Sequence, residues 1–284
     1  MKYAVFTVST PEYTPEEAVG VLKELGYDGV EWRVIDQEPA SDGRPGFWQG
    51  NRCTLPLRTF VEDAPRIRSL TERVGLETTN VGAYAGCDDL AGVEQVMRGA
   101  ALLGAPSARV RVPRYDGTEN YRRMRDRARG QFQDVEALAK QYEVRAVIET
   151  HQGTLTPSAS SLASFLYGFD PQWTGALFDP GNMAVEGYEH YQLGLEALGP
   201  YLAHVQIKNA LWHAIGTRPD GSAEWNTAWA PLKKGVVDMQ SVFRALAAVG
   251  YDDWVSFEDF SIEQPLRERL RDNLEYVKEI VSGL

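Results

Sequence analysis

RAVIETH, residues 145–151, reads as a short buried strand that ends on reactive groups. Ala146, Val147 and Ile148 are apolar in unbroken succession, as expected for a strand covered on both faces in a parallel sheet. Glu149 closes the run and His151 follows two residues later. Side chains alternate along a strand, so these two share a face. Three downstream stretches repeat the pattern. TGALFDPG (174–181) runs into Asp179, LAHVQIKN (202–209) places His204, Gln206 and Lys208 on one face, and WVSFEDF (254–260) does the same for Ser256 and Glu258. In parallel barrels the catalytic groups sit at the C-terminal ends of the strands. Four polar strand ends in succession therefore predict one mouth at which they meet.

The rest of the chain agrees. Strand-like segments at 3–9, 29–34, 77–82, 108–112, 145–150, 174–179, 202–208 and 254–259 alternate with amphipathic, helix-like ones at 14–25, 57–75, 89–103, 119–142, 158–168, 189–198, 238–249 and 264–282. Eight strand–helix units are the count of a (β/α)₈ TIM barrel. An open doubly wound sheet needs a glycine-rich phosphate loop after its first strand, and STPEYTPEE, which follows here, has none. Thr14, Pro15 and Glu17 form a helix-start signature, and Gly26 a stop. ELGYDGVEW (24–32) and AVGYDDWVSFE (248–258) both read as helix end, glycine stop, turn and strand, which is one unit used twice.

At 284 residues, with 43% hydrophobic residues and no linker or composition shift, residues 1–284 form a single domain. A net charge of −11 argues against a nucleic-acid surface, and the basic run Arg122–Arg129 reads as a solvated helix face. Two cysteines, Cys53 and Cys87, do not make a disulfide framework and suit a reducing cytosol. MKYAVFTVST does not read as a signal peptide, and no apolar run is long enough for a bilayer. The expectation is a soluble, cytoplasmic protein with neither nucleic acid nor membrane as partner.

A carboxylate that ends a doubly buried strand must be paired, ligated or at a solvated mouth. Oxygens from Glu149, Asp179, Gln206 and Glu258, aimed at one point, make a site for one hard divalent cation, Mn²⁺ above Mg²⁺ or Co²⁺. Such an ion polarises a carbonyl and stabilises an enolate or enediolate. His151, nearer the solvent than Glu149, is the candidate general base, or else orients a ligand. His204, deeper in its strand, reads as a packed or hydrogen-bonded core residue. Lys208 can hold a substrate oxygen. Arg33 and Arg111 end two strands and face either substrate or a salt bridge. The long connection 210–237 is expected to be irregular. Its His213 can reach inward, and Trp212, Trp225 and Trp229 either line a pocket or pack the loop down, with Trp225 the one assigned to the substrate.

LGYDGVEWR, IETH (148–151), LFDPGNM (177–183), HVQIKN (204–209) and GYDDWVSFEDF (250–260) together resemble the xylose-isomerase-like TIM-barrel superfamily, the sugar phosphate isomerase/epimerase group, over essentially the whole chain. The resemblance places Glu149, Asp179 and Glu258 on metal-ligand positions. It also puts Gln206 where the second histidine of an HVH motif usually stands. Asn182 falls where sugar epimerases often carry a substrate-binding histidine. The implied activity is a metal-dependent isomerase or epimerase of a small sugar or keto-polyol. Glu149 or Glu258 then removes the proton next to the metal-bound carbonyl, giving an enediolate. The alternative is a lyase with His151 as base, similar to 3-dehydroshikimate dehydratases or to the catalytic subunit of C-glycoside deglycosidases that cleave 3-oxo-glycosides. A homodimer is implied for the group, and a small partner subunit for a deglycosidase.

Overall fold

The computed structural model describes residues 1–284. Its strands are β1 (Lys2–Phe6), β2 (Gly29–Val34), β3 (Glu77–Ala83), β4 (Ser107–Arg109), β5 (Arg145–Glu149), β6 (Thr174–Phe178), β7 (Leu202–Ile207), an inserted pair β8 (Asn209–Thr217) and β9 (Ala223–Ala230), and β10 (Trp254–Phe257). Excluding the inserted pair, eight parallel strands close into a barrel in the order β1-β10-β7-β6-β5-β4-β3-β2. The helices are α1 (Pro15–Leu25), α2 (Phe60–Arg73), α3 (Leu90–Leu103), α4 (Tyr121–Tyr142), α5 (Ala159–Leu166), α6 (Pro180–Val185), α7 (Tyr191–Leu198), α8 (Met239–Ala248) and α9 (Leu266–Ser282). The eightfold alternation expected from the sequence is the observed architecture, a single (β/α)₈ TIM barrel. No helix is long and apolar enough to cross a membrane.

Local chemistry explains the element boundaries. Thr14 accepts from the Glu17 amide and Glu17 from the Thr14 amide, a reciprocal capping box that starts α1. Gly26 ends it at φ +86°, the left-handed conformation glycine adopts without strain. β1 is shorter than its apolar run. The Ser9 hydroxyl donates to the Phe6 carbonyl at 2.9 Å and the Thr10 hydroxyl to that of Thr7 at 3.1 Å, folding 7–9 into a 3₁₀ turn. One expectation is overturned at 210–237, where β8 and β9 form an antiparallel hairpin. Arg218–Ser222 turn the chain, with Gly221 at φ +86° and Asp220 accepting from the Ser222 amide at 2.9 Å. Short α6 was also not foreseen. Asp179 caps it and Pro180 occupies its first turn, where a missing N–H costs nothing.

The large apolar core lies between the strands and the helices, around Trp32, Phe132, Phe165 and Phe243. Inside the barrel the filling is mostly polar, except where the Phe6 ring crosses to β3. A Cβ on Gly82 would stand 2.2 Å from Phe6 Cε2, so only glycine leaves room for that ring. Gly82→Ala is expected to destabilise the fold by about 1–3 kcal/mol through overpacking, read as a lowered urea midpoint at unchanged slope.

Candidate active site

A buried carboxylate organises the barrel interior below the mouth. Glu31, on β2, is fully buried and accepts from Gln206 Nε2 at 2.7 Å, from Asn80 Nδ2 at 2.8 Å and from His204 Nε2 at 3.2 Å. β1 and β10 separate β2 from β7, so the bonds to His204 and Gln206 cross the inside of the barrel. Burial alone would raise the Glu31 pKa, but hydrogen bonding and the His204 charge overcome it and lower the value. A carboxylate without its proton only accepts. The Gln206 amide must therefore turn its NH₂ to Glu31 and its Oε1 away. That Oε1 is buried and has no hydrogen-bond partner.

One step nearer the C-terminal ends stand Glu149, Asp179 and Glu258, all buried, with a ligand oxygen from each lying within 4.8 Å of the others. Strand ends place Glu149 and Glu258, while Asp179 is held by the start of α6, its Oδ1 accepting from the Asn182 amide at 2.9 Å. Asn182 Nδ2 in turn donates to Glu149 Oε1 at 2.8 Å. On its other oxygen, Glu149 pairs with Arg109 Nη1 at 2.5 Å. Lys208 sends its ammonium into the middle of the three acids. Its Nζ is 2.9 Å from Asp179 Oδ2, 3.8 Å from Glu149 Oε1 and in direct contact with Glu258 Oε2. A Cβ on Gly181 would stand 2.4 Å from Lys208 Cγ, so this glycine makes room for the lysine stem.

Three acids this close do not titrate alike. Burial pushes Glu258 up to about 8 against the pull of Lys208, with the charges of Glu149 and Asp179 adding to the rise. Asp179 rises to about 6, again by burial first. Burial also works on Glu149, but the neighbouring Arg109 and Lys208 overcome it and hold it at about 2. Burial would lower the Lys208 pKa, yet the surrounding carboxylates raise it well above the ordinary lysine value. His151 is lowered, by burial first. Its Nδ1 lies 2.8 Å from the Gln152 carbonyl, which can only accept, so Nδ1 carries the proton and the Nε2 lone pair is free.

The sequence-derived candidates are distributed unevenly around this centre. Glu149, Asp179, Asn182, Lys208 and Glu258 touch one another, and Gln206 lies one strand position below. Arg111, Glu149 and His151 line a common cavity of about 20 Å³, room for a single water. Arg33 and Arg111 each lie over the Tyr84 ring. Trp225 is not brought in: it sits on the hairpin opposite Ala214, 55% exposed. The hairpin tryptophan that does reach the site is Trp229, whose ring is 5.1 Å from Lys208 Nζ. No contact between His213 and the three acids is observed. His204 is the hydrogen-bonded core residue its depth suggested.

Sequence reasoning missed Arg109, Glu31 and Tyr84. The period of two carries all three, because Ser107, Arg109 and Arg111 share a face, as do Glu31 with Arg33 and Asn80 with Tyr84. Both cysteines are buried and free, their thiols pushed up by burial to about 12 for Cys53 and about 11 for Cys87, which leaves them unreactive. A cavity of about 550 Å³ opens at the opposite ends of the strands, beside Glu77, Ser107 and Trp254, away from the three acids.

The donor set fits a hard divalent ion. Oxygens around such an ion are about 3.0 Å apart when adjacent and about 4.2 Å when opposite; those of the three acids already lie within 4.8 Å of one another, and the orphaned Gln206 Oε1 offers a fourth oxygen. The Lys208 ammonium shows that the nest attracts a cation. Glu31→Gln, which no longer fixes the direction of the Gln206 amide, is expected to weaken Mn²⁺ binding about 10–100-fold, measured by isothermal titration calorimetry.

Solved structures share the fold. With 14% identity and a TM-score of 0.75, the chain is similar to the IolI protein solved with a bound zinc atom, over 100% of this chain and 99% of that one. It is similar to the 3-keto-D-glucoside 4-epimerase YcjR of E. coli at 14% identity and a TM-score of 0.73, over 98% and 99%. The same TM-score relates it, at 17% identity over 98% and 99%, to the probable 3-DHS dehydratase AsbF of Bacillus anthracis. No protein of curated function matches in sequence. A family model described as the xylose isomerase-like TIM barrel matches residues 19–280. With its eight-stranded barrel and acid-lined mouth, the chain belongs to the xylose isomerase-like TIM-barrel family.

Proposed function

We propose that this chain is a divalent-metal-dependent isomerase or epimerase acting on a sugar or related hydroxyketone. The observation that carries this is the convergence of Glu149, Asp179 and Glu258 within 4.8 Å, with the unpartnered Gln206 Oε1 below them. These four residues would hold the ion, Mn²⁺ suiting an all-oxygen set with open positions. When bound, it polarises a carbonyl and stabilises the negative charge that develops on the carbonyl oxygen as the neighbouring proton leaves.

The chain's own groups supply the rest. Removal of a proton next to a carbonyl needs a base that is unprotonated at neutral pH and not pinned by a cation. Glu149 is held by Arg109 and is weakly basic, whereas Glu258 is more basic but lies against Lys208. His151, neutral and with Nε2 free, satisfies both conditions and lines the cavity beside Glu149. Lys208 and Asn182 are placed to hold substrate oxygens, and Trp229 and Phe260 wall the site around Lys208.

The availability of His151 also favours the lyase reading, in which the same proton loss is followed by departure of a β-group. Similar folds carry both chemistries: YcjR is named an epimerase and AsbF a dehydratase. Product analysis separates them, since an isomerase conserves substrate mass and a lyase does not. The primary test is a Mn²⁺ titration of EDTA-stripped protein followed by electron paramagnetic resonance. One ion per chain is expected, and no uptake at neutral pH would sink the proposal.

Lys208 gives the titration a diagnostic sign. If its ammonium competes with the ion for the same oxygens, Lys208→Met tightens Mn²⁺ binding by about an order of magnitude or more. The same change destabilises the metal-free fold by about 3–5 kcal/mol, because buried acids lose their counter-charge. Weaker binding in the variant contradicts the competition.

A further inference from the structure

Two of the cations at the mouth are not held by its acids. Arg109 is matched by Glu149, and Lys208 by Asp179 and Glu258. Neither Arg33 nor Arg111 forms an ion pair, the charge of Glu149 reaching Arg111 only at longer range, although Arg33 is only 2% exposed. Their guanidinium carbons lie 5.2 and 5.4 Å from the centre of the Tyr84 ring, and that of Arg109 lies 4.6 Å from it. Three guanidinium groups thus lie around one aromatic ring in a protein whose net charge is −11.

Arg33 shows which edge is spare. Its Nη1 is committed to the Phe47 carbonyl at 2.9 Å and the Thr54 hydroxyl at 3.0 Å, contacts that fasten the 35–56 connection. Its Nε is buried with no partner. Nε together with Nη2 forms the side-on fork that grips two oxygens of a carboxylate or phosphate at once. A buried cation without a counter-charge is costly, and an arriving anion removes that cost. Arg111 makes no hydrogen bond through its side chain and faces the cavity it shares with Glu149 and His151. Arg33 and Arg111 therefore both lie against the Tyr84 ring, Arg111 beside the proposed reacting groups.

We infer that the substrate is anionic, its carboxylate or phosphate group held over Tyr84 by the Nε–Nη2 edge of Arg33 and by Arg111. This rests on the reading of the mouth as the substrate site and narrows it from sugars in general to sugar acids, keto acids or sugar phosphates. A neutral ketose leaves both guanidinium groups unmatched.

The test uses metal-stripped full-length protein and three six-carbon probes at fixed ionic strength: D-gluconate, sorbitol 6-phosphate and neutral sorbitol. Binding is followed by calorimetry and by the fluorescence of Trp48, whose ring lies 5.8 Å from the Arg33 guanidinium carbon. At least one charged probe is expected to bind about tenfold or more tightly than sorbitol, and which of the two does so identifies carboxylate or phosphate. Arg33→Met and Arg111→Met should each erase most of that preference. Arg33→Met also frees Phe47 and Thr54, so the decisive variant is Arg111→Met, which breaks no hydrogen bond. Equal binding of all three probes, or a preference that survives Arg111→Met, overturns the inference. Because the ion is absent throughout, failure here is separate from failure of the Mn²⁺ titration.

Discussion

Glu258→Gln is expected to lower Mn²⁺ affinity by about 10²-fold or more while the barrel stays folded. The two halves of this expectation have one cause. In the metal-free protein, burial pushes Glu258 up to about 8 against the pull of Lys208, with the neighbouring acids adding to the rise, so the protonated acid is readily formed there. A glutamine is nearly the shape of that protonated acid, and the fold already accommodates it. The ion instead needs the ionised oxygen, which glutamine cannot provide. Losing a direct ligand should exceed the 10–100-fold typical of groups that merely orient ligands. Electron paramagnetic resonance gives the affinity and urea unfolding the stability. Uptake of Mn²⁺ at the wild-type level by Glu258→Gln would remove Glu258 from the ligand set.

His151→Asn is expected to cut kcat about 10²–10⁴-fold in the metal-loaded enzyme, with Mn²⁺ affinity unchanged. The imidazole lines the cavity beside Glu149, and the Gln152 carbonyl fixes its tautomer with Nε2 open. Asparagine occupies similar space and offers no base. The pH profile supplies a second readout. A base must be unprotonated to act, and burial lowers the His151 pKa. The active form therefore persists to lower pH than an ordinary imidazole allows, and the acid limb of kcat should fall below about 6.5. That limb disappears in His151→Asn. A variant that keeps both rate and limb would return the base role to a carboxylate.

The fold was legible because hydrophobic periodicity and helix stops are local signals. Apolar runs marked most barrel strands, and Thr14 and Gly26 did at the sequence level what they do in the structure. The four polar strand ends were legible for the same reason. What stayed hidden depended on contacts across the barrel. Nothing near Gln206 in sequence announces Glu31, 175 residues away, as the group that turns its amide. Arg109 was overlooked for Arg111, although both lie on one face, because the pairing with Glu149 spans 40 residues. The hairpin β8–β9 carried a readable turn at RPDGS, but its mixed aromatic and polar strands lacked the apolar run that marked the others. Trp225 rather than Trp229 was singled out because exposure depends on where the hairpin lies, and no local signal encodes that.

The ammonium at the centre of the three acids has a bearing on how the protein matures. A newly made chain carries within itself a positive group able to quiet the repulsion among Glu149, Asp179 and Glu258. Collapse of the barrel therefore does not have to wait for a scarce ion from the surroundings, as it does in small domains that remain unfolded until loaded. If the three acids take up an ion as proposed, metallation becomes an exchange of one positive group for another in an already built vessel, and a shortage of metal is expected to leave idle protein instead of misfolded protein.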